Sequence, residues 1–424
     1  MVGGGGRDSL LRRRVGDWDV ATSALPETVA SLFAGSRYEN RFGTVTVPRA
    51  VPPQRVEITT FRRDHQYADH RRPDSVTFTD SLDEDLARRD FTVNAIAWGR
   101  QATDASPRWS DPTDGLADLD ARLIRAVGDP AKRFDEDALR LLRAARFSAQ
   151  LGFAIEPATL EAMSGTAGTI SYVSKERIGM ELRKMVMADP PSGAFRILAD
   201  TGVLAGALPE LDAQRDVPQD KVTGDDLWGH CLRTVDAAAD LGGDDKLRLA
   251  ALLHDIGKPP TFADGHFIGH DSEGAKLAEA LLTRLAYPRR MIEDVALLIA
   301  NHMFSYEHRW SGAAVRRFIR RVGREHVQPL LQLRRADNVG SGLPANAGHV
   351  DELESRINAE LKQNAPLTLR ELAVDGNDLV AELGIAPSPQ VGDLLERLLG
   401  EVIADPSRNT REALLAQARE WSAT

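Results

Sequence analysis

Apolar periodicity changes character once along this chain, and that change limits the folds it can reach. Short β-branched runs of strand length, Thr44–Val47 and Val56–Phe61, lie in the first hundred or so residues, with a turn expected at Val51-Pro52-Pro53. From Asp118 onward the pattern is helical. Phe134, Ala138, Leu141, Leu142 and Ala145 recur at helix spacing, and similar stripes run on through Leu182 and Leu198. Leu208-Pro209-Glu210-Leu211 and the polar stretch Asp212–Asp226 read as a linker before a second helical block, Leu227 to Gly340. Gly340–Gly348, rich in small residues, reads as a loop leading into a last charged, Leu/Ala-rich helical region. The expected class is α+β: a small mixed sheet at the front, and helices after it. Aromatic residues at 6% agree with a largely helical protein.

A chain of 424 residues has room for several domains and more than one core. Its one cysteine, Cys231, excludes an internal disulfide and fits a reducing cytoplasm, and its setting suggests a buried helix residue rather than a ligand. The sequence shows neither a signal-peptide core nor a run of membrane-spanning length, so a cytoplasmic location without a membrane partner is expected. The net charge of −10 argues against a nucleic-acid partner only in bulk. Local charge decides phosphate binding, and arginine is concentrated between Arg122 and Arg146, a candidate RNA-facing surface. A second cluster, Arg316, Arg317, Arg320, Arg321 and Arg324, is read as a solvated helix face.

The front region carries acidic chemistry. Asp17-Trp18-Asp19 follows the glycine run Gly3–Gly6 and Arg7-Asp8. On a strand, both carboxylates share one face with Trp18 on the other. Carboxylates that close repel unless a cation lies between them, so the spacing points to Mg2+, which favours a few carboxylates plus substrate phosphates. A glycine-rich turn upstream would let backbone N–H groups approach those phosphates. Two solvated aspartates in a polar turn are the bland alternative. Glu57, opposite in phase to Val56 and Ile58, is free to act as a third carboxylate, or is simply an exposed strand residue.

Arg88-Arg89-Asp90-Phe91-Thr92-Val93-Asn94 is more specific. Two guanidinium forks suit phosphate or sugar oxygens. Asp90 either accepts from a ribose hydroxyl or caps a helix start. Further on, Asp137 and Arg140 stand three apart, which on a helix is one face. Asp137 only accepts hydrogen bonds and Arg140 only donates. The pair complements cytosine and adenine and opposes uracil and guanine. An ordinary ion pair, Glu136–Arg140 or Asp137–Arg140, is the competing reading.

Val2–Asp8, Gly16–Leu25, Val56–Arg62, Asp80–Ala97, Gly128–Phe153 and Val173–Leu182 occur in an order that resembles the class II tRNA nucleotidyltransferase and poly(A) polymerase family. The resemblance implies a head, neck and body that add C, C and A to tRNA 3′ ends from CTP and ATP. Asp17, Asp19 and Glu57 would be catalytic, with Asp17 and Asp19 on Mg2+. Gly4 and Arg7 would meet the phosphates. Arg89, Arg140 and Arg143 would hold the nucleotide, and Asp137 would read the base edge. Gly3, Asp8, Arg88, Asp90, Asn94 and Arg146 complete the nucleotide-binding set. Departures from the family pattern are a glycine motif entered from Met1-Val2 alone, which leaves either a shortened first strand or a misplaced start codon, Gly6 for a bulkier apolar residue, and Arg12 and His70 where glycine is usual.

A second constellation centres on His254-Asp255 after an apolar helix, with His230 before it and His270, His302 and Asp337 after. Imidazoles and carboxylates gathered by helices suit a divalent metal able to activate water against a phosphate ester. His230, His254, Asp255 and Asp337 resemble the HD-domain phosphohydrolase pattern, with His270 and His302 as its optional ligands. One bacterial tRNA nucleotidyltransferase subtype carries such a domain, associated there with phosphatase and 2′,3′-cyclic phosphodiesterase activity. The implied division is 1–117 head, 118–215 neck and body, 225–340 HD domain, and 345–424 helical tail. Rival readings are a poly(A) polymerase, an enzyme adding only CC or only A, and an HD hydrolase with an inactive RNA-binding head.

Overall fold

The computed structural model describes residues 1–424 except 17, 39–41, 49–55, 66–74, 101–105, 220–223 and 423–424. The turn expected at Val51-Pro52-Pro53 and the departure at His70 therefore lie outside the described residues, as does Asp17. The chain divides into two compact units, Met1–Arg215 with Leu281–Tyr287, and Asp216–Ala280 with Pro288–Thr424.

The first unit opens with helix α1 (Gly3–Leu10), strand β1 (Trp18–Thr22), α2 (Pro26–Leu32), β2 (Arg37–Tyr38), β3 (Thr44–Val47) and β4 (Val56–Thr60). The sheet order is β1-β4-β3-β2, with β1 parallel to β4 and the other pairs antiparallel. This is the small mixed sheet expected. Two hairpins follow, β5 (Arg62–His65) with β6 (Ser75–Phe78), and, after α3 (Leu82–Ala87), β7 (Ala97–Gly99) with β8 (Arg108–Ser110). Val2 forms a single antiparallel bridge to Ala97. Around it Val2, Leu86, Ala95, Ala97 and Val127 form one apolar cluster. Arg12, where glycine is usual, has φ +55°, the left-handed conformation that glycine adopts without strain. Gly6 is buried, and a Cβ there would meet Ile96 O at an ordinary 3.8 Å.

Helices then take over: α4 (Gly115–Ala121), the short pair β9 (Leu123–Ile124) and β10 (Ala154–Ile155), α5 (Pro130–Glu136), α6 (Leu139–Leu151), α7 (Pro157–Thr166), α8 (Lys175–Val186), α9 (Ser192–Asp200), α10 (Val203–Ala207) and α11 (Pro209–Asp212). Asp129 starts α5 by accepting from the N–H groups of Ala131 and Lys132, with Pro130 in the first turn. Phe134, Ala138, Leu141, Leu142 and Ala145 are all fully buried, so the stripe marks a core face. It does not mark one helix, because the chain breaks at Asp137 (φ −148°, ψ 100°). Leu208–Leu211 is not linker either. Leu208 and Leu211 are fully buried at the start of α11, anchored by apolar burial that outweighs the turn signal of Pro209.

The second unit contains α12 (Leu227–Asp240), α13 (Asp245–Leu253), α14 (Lys258–Thr261), α15 (His270–Arg284) as far as Ala280, α16 (Arg289–Asn301), α17 (Gly312–Val322), α18 (Val327–Gly340), α19 (Val350–Lys362), α20 (Gly376–Leu383), α21 (Pro389–Ala404) and α22 (Arg411–Ser422). Asp226 and Asp244 cap α12 and α13 by accepting from the N–H groups of Gly229 and Leu247. The terminal helices close around Leu379, Leu398, Val402 and Leu414. The second arginine cluster is a solvated face at Arg317, Arg320, Arg321 and Arg324, which are exposed, but not at Arg316. Arg316 is buried and donates to Ile403 O (2.7 Å), Ala404 O (2.9 Å) and Glu360 Oε2 (2.7 Å), satisfying the carbonyl end of α21. Arg320 pairs with Glu396, and Arg324 with Glu371.

Candidate active site and metal centre

The glycine run forms the first turn of α1 rather than an open turn. Gly3 has φ +65°, and a Cβ there would lie 3.0 Å from Arg89 Nη1 and 3.3 Å from Asp19 Oδ2. Only glycine lets the start of α1, the β1 carboxylate and this guanidinium come together. The Val2 N–H donates to Asp19 O at 2.9 Å, fixing the approach. A helix start whose unpaired N–H groups and dipole favour anions thus lies beside Asp19. On β4, Glu57 stands in register with Asp19, and in a parallel pair partners in register share a face. The structure therefore brings together Gly3, Asp19, Glu57 and Arg89.

A polar chain links this corner to α6. Arg7 is buried and donates from Nη1 to Asn94 Oδ1 (2.7 Å) and from Nε to Asp8 Oδ1 (2.9 Å). Asn94 donates to Asp90 Oδ1 (3.2 Å), and Arg143 Nε donates to Asp90 Oδ2 (2.7 Å). Burial alone would raise the pKa of Asp90, but the charge and hydrogen bonds of Arg143 overcome it and hold Asp90 well below the carboxylate range. Asp90 does not cap a helix. The 3₁₀ turn Thr92–Asn94 begins after Phe91, with no side-chain cap.

Arg88, Arg89, Arg140, Arg143 and Arg177, with Asp90 and Asp137, line a cleft of about 290 Å³. Five cations against two carboxylates suit a polyanionic ligand. Arg88 and Arg89 both donate to buried Asp85, at 2.6 and 3.2 Å. Sequence reading missed Asp85, although its spacing of three and four residues on α3 was a signal.

Asp137 and Arg140 do line one cleft, but they do not pair through their side chains. The break at Asp137 turns its carboxylate to Arg177, which donates from Nη1 (3.0 Å) and Nη2 (2.7 Å). Asp137 Oδ1 also accepts the Leu139 N–H that opens α6. Arg140 instead donates to Glu136 Oε2 (2.5 Å) and Arg133 O (2.8 Å), so the competing ion pair is the one formed. Arg177 was assigned no role from sequence, although it lies within the matching stretch Val173–Leu182. Arg146 is committed elsewhere. It is buried, donates to Glu181 Oε2 at 2.5 Å, stacks over Phe147 and does not line the cleft. Gly4 lies within α1, where a Cβ would meet nothing closer than Arg7 Nη2 at 3.8 Å.

The second site is buried among helices of the second unit. His254, His270 and His302 each place Nδ1 2.7–2.8 Å from the carbonyl oxygen three residues earlier. A carbonyl only accepts, so each Nδ1 carries the proton and each neutral ring presents a bare Nε2. For His254 and His270, burial lowers the pKa and favours the neutral ring. Asp255 Oδ2 lies 3.4 and 3.2 Å from Nε2 of His230 and His254, while Oδ1 lies 3.4 and 3.5 Å from Nε2 of His270 and His302. Asp337 Oδ1 stands 3.3 Å from His230 Nε2.

Buried Nε2 atoms of His270 and His302 have no hydrogen-bond partner, and lone pairs facing a carboxylate across that gap call for a cation. Two donor groups therefore share Asp255 as a divider: His230, His254 and Asp337 on one side, His270 and His302 on the other. Cys231 is buried on α12, within reach of His254 and Asp255. Lys258 was missed by the sequence reading. Its Nζ lies 2.6 Å from Asp255 Oδ2, one helical step after it.

Three protein families match successive parts of the chain. The Poly A polymerase head domain family matches residues 1–125, the family described as the probable RNA and SrmB-binding site of polymerase A matches 152–215, and the HD domain family matches 227–341. The CCA-adding enzyme of Geobacillus stearothermophilus is 32% identical over 431 residues, covering 100% of this chain and 93% of the relative. That of Levilactobacillus brevis is 34% identical over 418 residues, covering 98% and 92%. The crystal structure of the Bacillus stearothermophilus CCA-adding enzyme in complex with CTP superposes with a TM-score of 0.75 at 29% identity, covering 100% of this chain and 92% of that one. With helices dominating behind a small mixed sheet and full-length similarity at this level, the chain belongs to the CCA-adding enzyme family of nucleotidyltransferases and carries an HD domain.

Proposed function

We infer that this chain adds C, C and A to tRNA 3′ ends from CTP and ATP, without a nucleic-acid template. One observation carries the reading. Arg89 lies against Gly3 and near Asp19 on one side and in the wall of the arginine-lined cleft on the other. The carboxylate corner and the base-reading wall therefore meet at one guanidinium. The relative solved with CTP supports the same assignment.

Asp19 and Glu57 offer oxygen donors that suit Mg2+, and Asp17, outside the described residues, is proposed from the sequence as a further ligand. When bound, that ion would neutralise the triphosphate and acidify the attacking hydroxyl. The N–H groups at the start of α1 and the Arg89 guanidinium hold the phosphates in line. The tRNA 3′ oxygen forms a bond to the α-phosphorus as the bond to the β-phosphate bridging oxygen breaks, and pyrophosphate leaves. Asp137 accepts from the amino group of cytosine or adenine, and Arg140 donates to the adjacent ring nitrogen. Uracil and guanine offer a carbonyl and a ring N–H there and are opposed at both positions.

The working division is a head at 1–117, a neck and body at 118–215, an HD domain at 225–340 and a tail at 345–424. For the HD domain we propose metal-dependent phosphate-ester hydrolysis, supported by the bare Nε2 atoms of His270 and His302 facing Asp255. His230, His254, Asp255, His270, His302 and Asp337 would hold divalent metal, which would supply an activated water. Among the described residues no helix is long and apolar enough to cross a membrane.

Incubation with tRNA lacking its 3′ terminus, Mg2+ and each nucleotide singly and together, followed by sequencing of the ends, tests the reading. CCA is expected; CC, a single A or a long A tail would assign a different member of the family. Incorporation should vanish in Asp19→Ala and persist in His254→Ala. Phosphate release from a phosphomonoester or a 2′,3′-cyclic nucleotide should show the opposite pattern.

A further inference from the structure

We propose that His308 and His349, backed by Glu352, form a second, solvent-accessible site for a borderline divalent transition ion such as Zn2+, separate from the buried centre. These side chains lie within ligand-sharing distance of one another on the surface of the second unit. His308 Nε2 and His349 Nε2 are 3.1 Å apart, with ring centroids 3.9 Å apart. Two imidazoles on one metal at about 2.0–2.1 Å place their nitrogens about 2.9 Å apart at a right angle and about 3.3 Å apart at a tetrahedral angle. The observed nitrogen separation falls between those limits, while the rings, with centroids closer than two ligands of one ion require, would turn apart on binding.

The support around the pair is that of a metal ligand set. Glu352 Oε2 lies 2.5 Å from His308 Nδ1, and a carboxylate can only accept there, so the proton is on Nδ1 and the bare nitrogen is Nε2. A carboxylate behind a histidine in this way fixes the ring and raises its basicity toward metal. Glu352 is itself held, since Tyr306 Oη donates to its Oε1 at 2.7 Å. Arg356 donates to Tyr306 Oη (3.0 Å), His308 O (3.3 Å) and Trp310 O, which pins the backbone that carries His308.

His349 reaches its place through an unusual backbone. It precedes α19 with φ +59°, immediately after Gly348 at φ +75°. Its side chain caps no helix N–H, so capping does not explain the conformation. The conformation aims the ring at His308 instead. Imidazole donors select a transition ion over Mg2+. Bound there, the ion would fasten the segment that follows His302 to the start of α19.

Equilibrium dialysis of the full-length protein against Zn2+ in millimolar Mg2+ tests this. His308→Ala and His349→Asn (asparagine tolerates the left-handed conformation) are each expected to bind one zinc equivalent fewer than the parent. Glu352→Gln should keep the site with affinity about 10–100-fold weaker. His254→Ala should retain it, since the buried centre is elsewhere. Crystals soaked in Zn2+ should show an anomalous peak between the two Nε2 atoms. Equal zinc stoichiometry in the parent and His349→Asn, or no peak at that position, would reduce the pair to a histidine–histidine hydrogen bond and overturn the proposal.

Discussion

Arg177 on α8 holds Asp137 through two parallel hydrogen bonds, 3.0 and 2.7 Å, across a separation of forty positions in sequence. The carboxylate expected to read the base is therefore oriented from a different helix than the one carrying its supposed partner. Arg177→Ala should lower kcat/KM for CTP and ATP by about a hundredfold, since misplacement of about 1 Å costs that much. Arg177→Lys should rescue little, because a single ammonium cannot reproduce the fork. Steady-state kinetics with each nucleotide checks both variants. Near-parental rates in Arg177→Ala would remove Arg177 from base reading.

Arg140 is anchored by Glu136 Oε2 and Arg133 O through one end of its guanidinium. Arg140→Ala should cut the preference for CTP over UTP by about tenfold or more, the worth of a good base-edge pair. Triphosphate affinity should change less, since Arg89 remains. Competition assays with mixed nucleotides read the ratio directly, and an unchanged preference would assign the reading to another group.

Gly3→Ala should be costly out of proportion to its size. The left-handed backbone and the 3.0 Å approach of Arg89 leave no room for a methyl group. Strain of about 1–3 kcal/mol is expected, with nucleotide incorporation falling more steeply than thermal stability. Parallel measurement of Tm and CCA addition distinguishes displacement of Arg89 from simple destabilisation.

Asp90 predicts a pH effect. Its folded pKa lies below its unfolded value of about 3.9. The folded state therefore binds fewer protons, and stability rises with pH through this region. The contribution is complete above the unfolded pKa and is lost as pH falls toward the depressed folded value. Asp90→Asn should flatten that acid limb in denaturant titrations from pH 6 down to about pH 3. At neutral pH it should cost about 3–5 kcal/mol by leaving Arg143 without its buried partner.

Much of this site is legible in sequence because its parts are local. Glu57 sits in a β-branched run whose period fixes the face it presents, and the strand register then sets it beside Asp19. The histidine cluster follows from residue type alone, since imidazoles beside an aspartate after an apolar helix have few structural uses. Long-range pairing was not legible. Neither Arg177 behind Asp137 nor Glu181 behind Arg146 has a sequence spacing that announces it. The break at Asp137 was hidden because the apolar stripe continues through it, burying both flanking helices on the same core. The burial of Arg316 is hidden because its partners, Glu360 and two backbone carbonyls at the end of α21, lie far along the chain with no spacing to announce them.

Asp85 serves two masters on α3, bridging Arg88 and Arg89 from beneath the cleft floor. Neighbouring guanidinium groups normally push apart, and here one shared anion sets their spacing. On the roles proposed for Arg88 and Arg89, nucleotide grip and placement of the reacting phosphate would be mechanically joined. A change that slackens one fork must slacken the other, so substrate affinity in this enzyme should drift in step with turnover rather than independently of it.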